Sequence, residues 1–96
     1  MSVIVVARYR TAPADADDVA RLLVDYAPQV RDEPGCVSFV AARSPDDPAS
    51  FVLLEHYRDQ SAFDQHVNSE HYAAVARDKI RPLLTERAVE FYDTVE

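Results

Sequence analysis

Tryptophan is absent from this sequence, and cysteine and glycine each occur once. A single cysteine, Cys36, excludes an internal disulfide and every zinc or iron–sulfur framework built from several thiolates. A single glycine excludes a glycine-rich phosphate loop, a dinucleotide fingerprint and a GxSxG elbow, and leaves the turns to proline and aspartate. Positive charge is scarce as well: 10 Lys and Arg stand against 17 Asp and Glu, a formal net charge of -7. The basic residues are also scattered, so nucleic acid and anionic membrane surfaces are excluded as partners. No apolar run reaches the roughly 18 to 20 residues of a membrane span, and the N-terminus carries no basic stretch followed by an apolar core and a small-residue cleavage site. The expectation is a soluble cytoplasmic protein.

What is present is 96 residues with 48% hydrophobic side chains, which predicts one globular domain over 1–96. A domain this short buries only about two thirds of the surface its unfolded chain exposes. Without disulfide or metal staples, self-association is the remaining way to enlarge its core.

Ser2 to Arg10 is a β-branched run without a breaker and predicts a strand. From Ala14 to Arg31 apolar residues recur at helical spacing, with Asp15, Asp17 and Asp18 at the favourable N-terminal end. Pro28 falls inside that pattern and predicts a kink or an early end near Tyr26. A turn at Asp32-Glu33-Pro34-Gly35 leads to strands over Cys36 to Arg43 and Ser50 to Tyr57. Asp59 caps a short helix over Gln60 to Val67, Ser69 caps another that runs to Ile80 ahead of Pro82, and Arg87 to Val95 forms the last strand.

This βαββααβ order is that of a ferredoxin-like α+β domain, a four-stranded antiparallel sheet with its helices on one face. In the third strand Phe51, Leu53, Glu55 and Tyr57 point one way and Val52, Leu54 and His56 the other. Helices cover only one of these two largely apolar faces. The other calls for a second copy of the sheet, which predicts a face-to-face homodimer.

Glu55 is an acid among apolar strand neighbours, and His66 shares a helix face with Phe63, the residue expected to point at the sheet. If they meet, the carboxylate raises the imidazole pKa and fixes its tautomer, giving either a positioned base or an ordinary satisfied contact. His56 is expected at the dimer side. His71, at the start of the third helix, is expected to face solvent or at most line a cavity mouth. His66 and Glu70 have i, i+4 spacing, but the helix breaks between them and no metal is predicted. Cys36 reads as a structural thiol. Tyr9, Phe39, Phe63, Tyr72 and Phe91 come from nearly every element around the helix–sheet space. Together they outline an apolar cavity suited to a planar aromatic ligand.

Glu33-Pro34-Gly35-Cys36, the strand Phe51 to Tyr57, the stretch Arg58 to His66 and Ser69-Glu70-His71-Tyr72 together resemble the antibiotic biosynthesis monooxygenase family, over nearly the whole chain. The resemblance implies a dimeric α+β barrel and cofactor-free oxidation of a phenol or hydroquinone by O2. It implies His66 as base, with Glu55 and Tyr57 orienting it or the substrate. Haem-degrading members of this fold carry Asn, Trp and His where this chain has Ala7, His66 and Ala76, which argues against that activity. Two other functions on the same scaffold remain open: a non-catalytic ligand-binding or signalling dimer, and an isomerase that consumes no oxygen.

Overall fold

The first strand, β1 (Val3–Thr11), alternates buried and less buried residues along its length, as a strand with one covered face must. We describe all residues 1–96 from a computed structural model. After a 3-10 turn at Pro13–Asp15 follow α1 (Ala16–Arg31), β2 (Cys36–Arg43), β3 (Ser50–Tyr57), α2 (Gln60–Val67), α3 (Tyr72–Ile80) and, beyond a second 3-10 turn, β4 (Leu84–Asp93). The four strands form one antiparallel sheet in the order β2-β3-β1-β4, the ferredoxin-like arrangement. No helix is long and apolar enough to cross a membrane.

All helices lie on one face. Val19, Leu23, Tyr26 and Val30 of α1 and Ile80 of α3 pack in one core with Val5, Ala7, Phe39, Leu53 and Tyr57 of the sheet. The alternation in β3 is as expected: Phe51, Leu53, Glu55 and Tyr57 are buried, whereas Leu54 is 47% exposed on the opposite face. Cross-strand register sets Leu54 between Val6 and Val40 and sets His56 between Ile4 and Ser38. The uncovered face thus carries an apolar centre, with Arg8 and Glu90 paired toward β4.

Three boundaries depart from the sequence expectation. Helix α1 does not stop near Tyr26 but continues through Pro28 to Arg31. Pro28 and Val24 are exposed, so the missing bond leaves no buried carbonyl stranded, while Tyr26, Ala27 and Val30 anchor the last turn in the core. Strand β4 begins at Leu84 rather than Arg87 and ends at Asp93 rather than Val95. It follows β1 to its end, where Leu84 pairs with Thr11 across a register shift. Helix α3 is a π-helix rather than an α-helix, a wider coil often found beside functional sites.

Candidate active site

Glu55 stands on the sheet floor between Val5 and Phe39, its register partners on the two neighbouring strands. Burial is the main cause of a carboxyl pKa pushed up to about 7, and the Tyr57 hydroxyl opposes it by donating to Glu55 Oε1 at 2.5 Å. Burial first, then the negative charge of Glu55 and the bond to it, hold Tyr57 far above the ordinary phenol range, so Tyr57 acts as a fixed donor.

Helix α2 brings His66 over this floor. Asp59 caps the helix by accepting from the Ala62 amide at 2.8 Å, as the sequence predicts. The glycine beneath it permits the approach: a Cβ on Gly35 would lie 2.2 Å from the Ala62 Cβ. Gly35 needs no unusual backbone angle, so close contact alone selects it here. One turn beyond Ala62, His66 is buried among Tyr57, Tyr72 and Phe63, with ring centroids at 5.0, 5.2 and 6.1 Å.

His66 and Glu55 do come together, but at 3.7 Å between Nε2 and Oε1, beyond hydrogen-bond reach. The carboxylate that bonds the imidazole is Glu33, whose Oε2 lies 2.8 Å from His66 Nδ1. The same oxygen is 2.5 Å from His71 Nε2. His71 is therefore half-buried in the site rather than solvent-facing, because the turn at Asn68-Ser69 sets its ring 6.4 Å from that of His66 and 6.0 Å from that of Tyr26. In that turn the Ser69 hydroxyl donates to the His66 carbonyl at 2.6 Å. The expected rise in the imidazole pKa does not occur. Desolvation lowers the His66 pKa and outweighs the opposing effect of Glu33. A lowered pKa favours the neutral ring, and the tautomer in which Nδ1 donates to Glu33 leaves Nε2 as an acceptor on the side facing Glu55.

Beside His66 lies a cavity of about 30 Å³ lined by Tyr9, Phe39, Phe63 and Tyr72, as the sequence suggests, and by Glu55 and His66. Phe91 is not part of it: the ring is 55% exposed and packs edge-on against Phe63 at 5.2 Å. Tyr57 also lies outside the lining, behind Glu55. Two polar residues join it from elsewhere. Tyr26 has a buried hydroxyl without a protein partner, and Arg87 faces Tyr9 across the β1–β4 register. The other singled-out groups stay apart: Glu70 is exposed, His56 lies on the opposite sheet face, and burial raises the Cys36 thiol pKa.

The sequence model of the antibiotic biosynthesis monooxygenase family matches residues 2–78. The chain belongs to that family. In the curated protein named "Putative monooxygenase Rv0793" from Mycobacterium tuberculosis, 84 residues align at 38% identity, covering 86% of this chain and 80% of that one. The solved structure of Rv0793 superposes with a TM-score of 0.91 at 32% identity, over 100% of this chain and 97% of that one. A crystal structure of an antibiotic biosynthesis monooxygenase superposes at 0.90 with 26% identity, over 98% and 99% of the two chains. PA3566 from Pseudomonas aeruginosa, at 24% identity, TM-score 0.89 and coverage of 99% and 95%, shares the fold.

Within this family member, Glu33, His71, Tyr26 and Arg87 are the site residues that sequence reasoning missed. Glu33 and His71 did lie in the segments that carried the resemblance. Tyr26 carried only a helical-core signal, and Arg87 none beyond its place in the last strand.

Proposed function

We propose that this family member is a cofactor-independent monooxygenase that oxidises a phenolic or hydroquinone substrate with O2 in the cytoplasm. The observation that carries the reading is the 2.8 Å contact of His66 Nδ1 with Glu33 at the wall of an aromatic cavity, which selects the tautomer with Nε2 as the base. Nε2 takes the substrate hydroxyl proton, and the resulting phenolate is electron-rich enough to reduce O2 directly. With a hydroquinone, one oxygen atom enters the ring to give the hydroxyquinone and the other leaves as water. Glu55, poised near neutrality, and the unpartnered Tyr26 hydroxyl are polar groups for the substrate oxygens. A cavity of about 30 Å³ holds little more than one water, so its wall must open to admit an aromatic ring, and Phe63 and Tyr72 are the two lining aromatics that are not fully buried. The functional unit in this reading is a homodimer joined through the uncovered sheet face, supported by the apolar line Val40, Leu54 and Val6.

The test is oxygen uptake by purified, chelator-treated protein with a panel of reduced naphthoquinols and anthrones. Turnover is expected, and His66→Ala should lower kcat by at least ~100-fold, the usual contribution of a positioned general base. Binding of a planar aromatic without oxygen consumption would instead establish a ligand-binding module, and carbon-bound proton exchange without oxygen consumption an isomerase.

A further inference from the structure

Glu33, His66 and His71 belong to three separate segments, yet their donor atoms all lie within 4.8 Å of one another. Each is fixed before any ligand arrives. The Glu33 backbone is bonded on both sides, its amide to the Val30 carbonyl at 3.0 Å and its carbonyl to the Cys36 amide at 3.0 Å. Ser69 closes the α2–α3 turn by donating to the His66 carbonyl and accepting from the Tyr72 amide. We propose that these three side chains form a binding site for a divalent first-row cation of the Zn²⁺ type, bound through His66 Nδ1, His71 Nε2 and Glu33 Oε2.

Two imidazoles and one carboxylate suit an ion of intermediate softness, and three protein donors leave a fourth tetrahedral position for water. A tetrahedral ion with bonds of about 2.0 Å holds its donors about 3.3 Å apart. The two nitrogens lie 2.8 and 2.5 Å from Glu33 Oε2 and within 4.8 Å of each other, so insertion requires the carboxylate to withdraw by less than ~1 Å and the imidazoles to close by up to ~1.5 Å, with His71 Nε2 giving up its 3.2 Å contact to the Ser69 hydroxyl. Side-chain exposures of 4% for His66, 12% for Glu33 and 20% for His71 give a half-buried site entered past His71. Glu55 stands 3.7 Å from His66 Nε2, on the side of the ring where an outer carboxylate would sit but short of hydrogen-bond contact, which the ring reaches only by shifting toward it.

The cation and the base exclude one another. A neutral imidazole bound to metal through Nδ1 must carry its proton on Nε2, so the nitrogen that faces Glu55 turns from acceptor to donor. This coupling rests on the reading of His66 as the base; the metal site itself does not.

The experiment titrates Co²⁺ into chelator-stripped protein and follows the visible d–d band of a tetrahedral ion. One equivalent should bind with Kd below about 100 µM. His71→Ala and Glu33→Gln should each weaken binding at least ~10-fold while circular dichroism shows the fold retained. Absence of a saturable band, or a band that survives both substitutions, overturns the site. In parallel, one equivalent of Zn²⁺ should suppress quinol-dependent oxygen uptake. Cobalt binding without Zn²⁺ inhibition overturns the coupling alone. If no quinol is turned over at all, the functional reading fails and the spectral titration still decides the site.

Discussion

Gly35→Ala is expected to destabilise the fold through one contact. The new Cβ would lie 2.2 Å from the Ala62 Cβ and 3.2 Å from its Cα, where ordinary contact begins at 3.4 Å; relief needs a shift of at least 3.4 minus 2.2, or 1.2 Å. Neither partner moves freely, because the Gly35 carbonyl accepts from the Arg58 amide at 2.8 Å and the Ala62 amide is held by its cap. Overpacking of this kind costs about 1–3 kcal/mol. A stiffer unfolded chain returns about 0.4–1 kcal/mol, since the backbone angle at Gly35 suits alanine. These bounds combine to about 0–2.6 kcal/mol (1 minus 1 to 3 minus 0.4), and an overlap of 1.2 Å places this site in the upper half, about 1.3–2.6 kcal/mol, a fall in Tm of roughly 5–20 °C for a domain of this size. Urea denaturation followed by circular dichroism, at one fixed protein concentration, measures it. The Gly35→Ala/Ala62→Gly pair removes the clashing methyl and should recover at least ~0.5 kcal/mol relative to the sum of the single variants. A Gly35→Ala protein as stable as the parent, or a double variant that is simply additive, would refute the close-contact argument.

Glu55 predicts an unusual pH dependence. Its native pKa of about 7 lies above the ordinary 4.5, so between those values the folded chain retains a proton that the unfolded chain has lost. Stability from this group therefore falls as pH rises from 4.5 through 7, by at most about 3–4 kcal/mol (7 minus 4.5, times 1.36). Glu55→Gln should flatten that slope in urea titrations, and equal slopes in both proteins would sink the assignment. Tyr57→Phe removes the donor at 2.5 Å and should shift the Glu55 carboxyl titration, read by carbon NMR, upward; an unchanged midpoint would contradict the bond. If the proposed homodimer forms through the uncovered sheet face, the parent sediments as a dimer and Leu54→Glu as a monomer; a monomeric parent would refute the dimer, and a dimeric Leu54→Glu protein would place the interface elsewhere.

The sheet was legible because β1 and β3 spell out their two faces in alternating residues, and α1 because Val19, Leu23, Tyr26 and Val30 repeat at helical spacing. The start of β4 was not, since Thr85 and Glu86 are exposed and it is backbone pairing to β1 that makes them strand. Pro28 misled because its cost depends on whether the freed carbonyl is buried, which depends on the tertiary surroundings. That His66 comes to lie over Glu55 followed from strand parity and helix phase, but the bond to the imidazole is made by Glu33 instead. Glu33 and His71 escaped because a glutamate in an acidic Pro-Gly turn reads as a solvated loop residue. A histidine opening a helix likewise reveals its direction only once the preceding turn is closed.

The central place of β1 also orders events during synthesis. This strand pairs on one edge with β3 and on the other with β4, the last of the four strands to be made. A nascent chain can assemble β1, β2 and β3 with α1, yet one edge of the apolar strand beginning Val3-Ile4-Val5-Val6 stays open until Leu84–Asp93 leaves the ribosome. Unpaired strand edges recruit other strands, so this interval is when the chain is most exposed to pairing with the wrong partner.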